Sequence, residues 1–176
     1  MLGIRVLMMG LARRLDSQLP NEAETLCAAN SRIPLFWLLP FRPQDLHLQP
    51  TSEAPEGYPL LWAEREQMLA RLDRLRQPVV TLLGQQTEAL LQQWHGYLAQ
   101  LSAPVLALET YELWQTEPEL QPRLQQQLTL LQRLLADGQL DEAERAALLE
   151  CCQLQQPDGS LALDEISLAG FGWRSA

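Results

Sequence analysis

Lysine is missing from this chain altogether: all 13 positive side chains are arginine, and they form no basic run. With a formal net charge of −9, that argues against a phosphate-backbone ligand, which needs clustered cations to release counterions. No nucleic acid partner is expected. β-Branched aliphatics are nearly as scarce, with 3 Ile and 4 Val against 39 Leu and 20 Gln. Such a balance favours helix, where unbranched side chains keep their rotamer freedom, over pleated sheet, which suits branched ones. Long apolar runs are absent too, and none approaches the roughly 20 residues that span a bilayer. No membrane contact is expected. Residues 1–12 read as mature protein, because their apolar stretch after Arg5 is short and Arg13 and Arg14 follow at once.

Only two histidines, His47 and His95, are available as a general base, and no Gly-x-Ser-x-Gly elbow accompanies either. Three cysteines and two histidines without CxxC or HxxxH spacing supply no zinc site. The Asp137-Gly138 and Asp158-Gly159 fragments lack the ligand frame of a calcium loop. No glycine pattern matches a phosphate or dinucleotide loop. No catalytic residue, metal ligand or cofactor is therefore assigned. Cys151 and Cys152 are adjacent, a poor spacing for a disulfide between them, and the odd number of thiols fits a reducing cytoplasm.

What is present is a strong helical pattern in a chain of 176 residues, the size of one domain. Leu61, Met68, Leu72 and Leu75 share one helical face, as do Leu83, Leu90, Trp94, Tyr97 and Leu101, and Leu120, Leu124, Leu128, Leu131 and Leu135. Pro78 separates the first set from the second, Pro104 follows the second, and Gly138 sits just past the third. A further helix starts at Asp141, with Glu144 as its capping-box partner and Ala143, Ala147, Cys151 and Leu154 facing inward. Asn21 to Ala29 reads as a short helix capped by Asn21. Residues 105–115 fit helix or strand, and helix is preferred; Leu161 to Leu168 fits either. Residues 4–9 fit a buried strand or a helix start, and the block from Ile33 to Phe41, bracketed by prolines, fits an edge strand pairing with them.

The fold expected is mainly α, a helical bundle of four or more helices with a small extended or β element at the N-terminus. Its parts are an N-terminal element (1–41), a Pro-rich connector (42–59) and a helical body (60–176), in one domain.

Charge is uneven. Residues 1–50 carry 5 Arg against 4 acids, residues 51–100 carry 4 against 6, and residues 101–176 carry 4 against 12, or −8. Within that acidic half, Glu109 and Glu112 flank Tyr111 and precede Trp114, a mixture of acids and aromatics suited to a contact surface. Phe171 and Trp173, set off by Gly170 and Gly172, either dock the tail or anchor a partner. These six residues are the candidate partner-binding positions.

The apolar N-terminus, the Ile33-Pro34-Leu35 block, a variable linker and the acidic Ala107-Leu108-Glu109-Thr110-Tyr111-Glu112 segment together resemble an uncharacterised family of small bacterial proteins. Some members of that family occur near secreted-toxin genes. The chain departs from it in lacking an aromatic-rich opening. The resemblance implies an immunity-type or adaptor role and assigns no residues. The leading expectation is a non-enzymatic protein that binds a basic protein partner. A small enzyme using carboxylates near Glu109 and Glu112, and a structural subunit forming homo-oligomers through its leucine faces, are the alternatives.

Overall fold

Val105-Leu106-Ala107-Leu108 is apolar on both sides of its backbone, and in the computed structural model it forms the spine of a sheet. The structure describes residues 3–15 and 22–174. Five strands, β1 (Arg5–Leu11), β2 (Glu24–Asn30), β3 (Leu46–Gln49), β4 (Tyr58–Glu64) and β5 (Val105–Glu109), run antiparallel in the order β2-β1-β5-β4-β3. The described helices are α1 (Leu35–Leu38), α2 (Arg65–Leu83), α3 (Glu88–Gln100), α4 (Tyr111–Thr116), α5 (Leu120–Asp137), α6 (Glu142–Cys151) and α7 (Glu165–Ala169).

The expectation of a mainly α helical bundle is thus overturned: the chain is an α/β protein built on an antiparallel sheet. The sheet also reaches well beyond the N-terminal element, since β3 and the start of β4 come from residues 42–59 and β5 from the expected helix at 105–115. Leu, Ala and Met prefer helix only weakly, and pairing on both edges of β5 overrides that preference. A strand buried on both faces also shows no alternation that would betray it.

Individual elements moved for the same reason. Residues 24–29 form β2 rather than a helix, and the expected cap Asn21 lies outside the described residues. The Ile33–Phe41 block is no strand: Leu35–Leu38 is a helical turn with every side chain buried. Leu61 belongs to β4, and Pro78 lies inside α2 instead of ending a helix. An interior proline costs on the order of 3 kcal/mol. α2 offsets this by burying Met68, Leu72, Leu75, Val79, Val80, Leu82 and Leu83.

The later helices follow their sequence signals more closely. α5 buries Leu120, Leu124, Leu128 and Leu131, and ends on Gly138 in the left-handed conformation, φ 74°. Asp141 caps α6, accepting from the Glu144 N–H at 2.8 Å while Glu144 reaches back to the Asp141 N–H at 3.1 Å. Its buried face, however, is Leu148 and Leu149, followed by Cys152; Ala143 is exposed. The face of α3 is likewise turned by one residue, to Leu91, Trp94 and Leu98.

Strand alternation separates two faces of the sheet. Val6, Met8, Cys27, Ala29, Leu61, Ala63, Leu106 and Leu108 point to one side and join the main core, to which every described helix contributes. The opposite side holds a small separate cluster, Leu11, Val105 and Ala107 with Leu15, Ala23 and Trp62, in which no helical residue takes part. One face is covered by helices; the other, the open face, carries no helix over that cluster among the described residues, and Leu7, Met9 and Trp62 on it stay partly exposed while Leu11, Leu60, Val105 and Ala107 are buried.

Candidate functional site

Glu109 is the last residue of the central strand and points to the open face. Register places it opposite Leu7 of β1 and beside Leu60 of β4, which in turn pairs with His47. On the far side, Leu7 pairs with Ala28, and Ala28 exchanges two backbone hydrogen bonds with Phe171, at 2.9 and 3.0 Å. One row across the open face therefore reads His47, Leu60, Glu109, Leu7, Ala28, Phe171. At the usual strand spacing, Glu109 and Phe171 are roughly 14 Å apart.

The Glu109 carboxylate is tied locally. Its Oε1 accepts the Tyr111 N–H at 2.8 Å, satisfying the first free donor of α4, and its Oε2 accepts the Tyr58 hydroxyl at 2.8 Å. Tyr58 is buried and meets the Tyr111 ring edge-on, with centroids 5.1 Å apart, and Trp114 stands 6.3 Å away. Thr110, also buried, fixes the strand end by donating to the Pro59 carbonyl. Burial pushes the Glu109 pKa above the ordinary carboxylate range, and the nearby Glu112 adds to this, while the Tyr58 hydroxyl and the Tyr111 and Thr110 N–H groups hold it back. Burial likewise raises Tyr58, with the charge of Glu109 behind it.

A cleft of about 310 Å³ opens in front of this carboxylate, lined also by Arg5, Leu7, Thr51, Tyr58, Tyr111 and Glu112. Arg5 is engaged: Nε and Nη2 both donate to Glu112 Oε1, at 3.1 and 2.7 Å, and its backbone N–H donates to Oε2 at 2.8 Å. Those bonds hold Glu112 below the usual carboxylate range. Tyr111 donates its hydroxyl to Glu53 at 2.5 Å. Among the described residues the cleft lining thus holds two carboxylates, Glu109 and Glu112, and one cation, Arg5, with Glu53 bonded to the Tyr111 hydroxyl, and Glu109 itself meets only neutral donors.

The four candidates Glu109, Tyr111, Glu112 and Trp114 are brought together here, joined by Arg5, Leu7, Glu53 and Tyr58, which sequence reasoning missed. Their only trace was alternation in β4 and β1, hidden by prolines in one and by a two-sided apolar run in the other. Phe171 and Trp173 part company. Trp173 is docked, 5% exposed, packed edge-on to Trp94 at 5.5 Å and near Tyr97 at 5.8 Å. Phe171 stays 40% exposed on the open face. Gly170, at φ 71°, makes this possible, since a Cβ there would lie 2.6 Å from the Trp37 ring and 2.8 Å from the Ala28 carbonyl.

Two other polar groupings lie outside this cleft. His95 Nε2 lies 3.1 Å from Asp73 Oδ1 beside a cavity of about 140 Å³ between α2 and α3, whose lining holds no hydroxyl or thiol to serve as nucleophile. Asp45 accepts from Arg71 at 2.6 Å and from the Arg42 N–H at 2.8 Å, and the buried Arg42 donates to the Leu39 and Phe41 carbonyls. Burial and the neighbouring Arg71 bring Arg42 down to about 10, so it stays charged near neutrality while pinning the turn before β3. No described helix is long and apolar enough to cross a membrane. The chain matches no family model, no curated protein and no solved structure.

Proposed function

We propose that this chain acts without catalysis, by binding another protein through the open face of its sheet, and that the partner presents a basic surface to the cleft at Glu109. One observation carries the reading. Glu109 is a largely desolvated carboxylate on the central strand, aimed outward, that no cation among the described residues neutralises. A basic partner would relieve that penalty, and the half-exposed Leu7, Met9, Trp62 and Phe171 offer the apolar contact that usually supplies affinity. The surplus of acids beyond residue 100 would speed encounter with such a partner. An immunity protein or adaptor that occludes the basic working surface of a toxin is one role of this kind.

Self-association through leucine stripes has less to work with, because Leu120, Leu124, Leu128 and Leu131 are buried in the chain's own core. The rival reading as a carboxylate enzyme has the raised pKa of Glu109 in its favour. It requires that Glu109→Gln and Glu112→Gln abolish the cellular phenotype even where partner binding persists.

Co-expression with the products of adjacent genes, followed by size-exclusion chromatography at low and high salt, tests the proposal. The expected result is a complex with a basic product that weakens with salt and is lost in Glu109→Arg. Absence of any complex at low salt, or a complex indifferent to Glu109→Arg, would contradict it.

A further inference from the structure

The Glu109 carboxylate has acceptor capacity to spare. Each oxygen already takes one donor, the Tyr58 hydroxyl on Oε2 and the Tyr111 N–H on Oε1. The Thr110 N–H also pulls on this group; an ionised carboxylate offers about four lone-pair positions, two per oxygen, so at least one stays free. A carboxylate with acceptor capacity left in a cleft suits a guanidinium fork, whose parallel donors can share its oxygens. An ammonium, a compact and strongly hydrated point charge, makes poorer use of them.

The walls of the cleft favour the same group. Tyr58 and Tyr111 present rings on which a flat, weakly hydrated guanidinium can pack, and Leu7, directly across from Glu109, offers an apolar rest for a methylene stem. Charge agrees: among the described residues Arg5 is the only cation lining the cleft, and Glu112 already holds it. A cleft of about 310 Å³ lies at the low end of ligand-site sizes, suited to one long side chain.

Granting the docking role argued above, we propose that the side chain a partner protein seats in this cleft is an arginine. Its guanidinium pairs with both oxygens of Glu109, and its stem lies against Leu7.

Heteronuclear NMR of the full chain reads this seat without the partner. Three probes are titrated: N-acetyl-arginine amide, N-acetyl-lysine amide and the neutral isostere N-acetyl-citrulline amide. The arginine probe is expected to shift the amides of Leu7, Glu109 and Tyr111 in the millimolar range, at least tenfold more tightly than either of the others. Glu109→Gln is expected to remove the response. Since that change also removes an acceptor from the end of β5, Leu7→Arg provides a second variant, in which a guanidinium of the chain itself fills the seat and blocks the probe.

Equal responses to arginine and citrulline, or to arginine and lysine, overturn the proposal, as does an arginine response that survives in both variants. Micromolar saturation by the free probe would assign the seat to a small guanidinium compound and overturn the partner assignment. The two proposals fail separately. A protein complex that tolerates Glu109→Gln removes the arginine seat and leaves docking standing, whereas a chain that takes the arginine probe but forms no protein complex removes the docking role.

Discussion

Met8 and Met9 are neighbours in β1, yet Met8 is fully buried under the helices while Met9 is half exposed on the other side of the sheet. The same contrast runs along the sheet. On the covered face, strand residues meet seven helices in a continuous core. On the open face no described helix joins the small cluster of Leu11, Val105 and Ala107, α4 meets the sheet beside Tyr58, and there the sheet places a carboxylate at the end of its central strand. The covered side carries most of the core, and the proposed docking face lies on the other, so substitutions should sort by face as well as by size.

The largest effect is expected on the covered side. Trp94, fully buried and packed between Trp37 and Trp173, should cost about 3–5 kcal/mol when replaced by alanine. Trp62→Ala, on the open face, should cost less than half of that. Denaturant unfolding of both variants checks the contrast, and equal losses would break it.

Next comes the hydroxyl that steadies the cleft. Tyr58→Phe should cost about 1.5–3 kcal/mol near neutral pH, the usual range for a hydrogen bond to a charged group. The loss should shrink in acid as Glu109 takes up a proton. Asp141→Ala, which removes the cap of α6 without touching either face of the sheet, should cost about 1 kcal/mol by the same measurement.

The smallest effect sharpens the comparison within the cleft itself. Glu109 titrates above the ordinary range when folded, so the folded chain binds its proton before the unfolded chain does. The Glu109 contribution to stability therefore rises as pH falls towards the usual carboxylate range, and is lost as pH rises through its folded pKa. Glu112, held low by Arg5, has the opposite sign: its contribution is present above the unfolded pKa and lost as pH falls through the folded one. Unfolding measured across acid pH should show the first trend vanish in Glu109→Gln and the second in Glu112→Gln. Arg5→Ala should leave neutral stability almost unchanged, because the pair it breaks is largely exposed.

Legibility in the sequence followed the same division. α5 and α6 could be read directly, because an amphipathic leucine stripe and a capping box are local signals that packing did not override. The strands could not. β5 is apolar on both faces, β1 nearly so, and β2 mixes helix formers (Glu24, Leu26, Ala28, Ala29) with poor ones, so long-range pairing decided their state. The acid-aromatic group at Glu109, Tyr111, Glu112 and Trp114 was visible as a short segment. What completes it, Arg5, Leu7 and Tyr58, comes from strands about 50 and 100 residues away, which only the sheet brings alongside. The tail was half legible: two aromatics two residues apart gave no sign that Trp173 enters the core while Phe171 stays on the open face.

The central claim, that Glu109 is a desolvated carboxylate paired with no cation among the described residues, is open to a direct measurement. A ¹³C NMR titration of the Glu109 side-chain carboxyl in the full chain, alone and with N-acetyl-arginine amide, reads both its burial and its readiness for a cation. The predicted result is a pKa above the ordinary glutamate range for the chain alone and a clear fall when the arginine probe is present. A pKa at or below the ordinary range, or one that the probe leaves in place, would contradict the account.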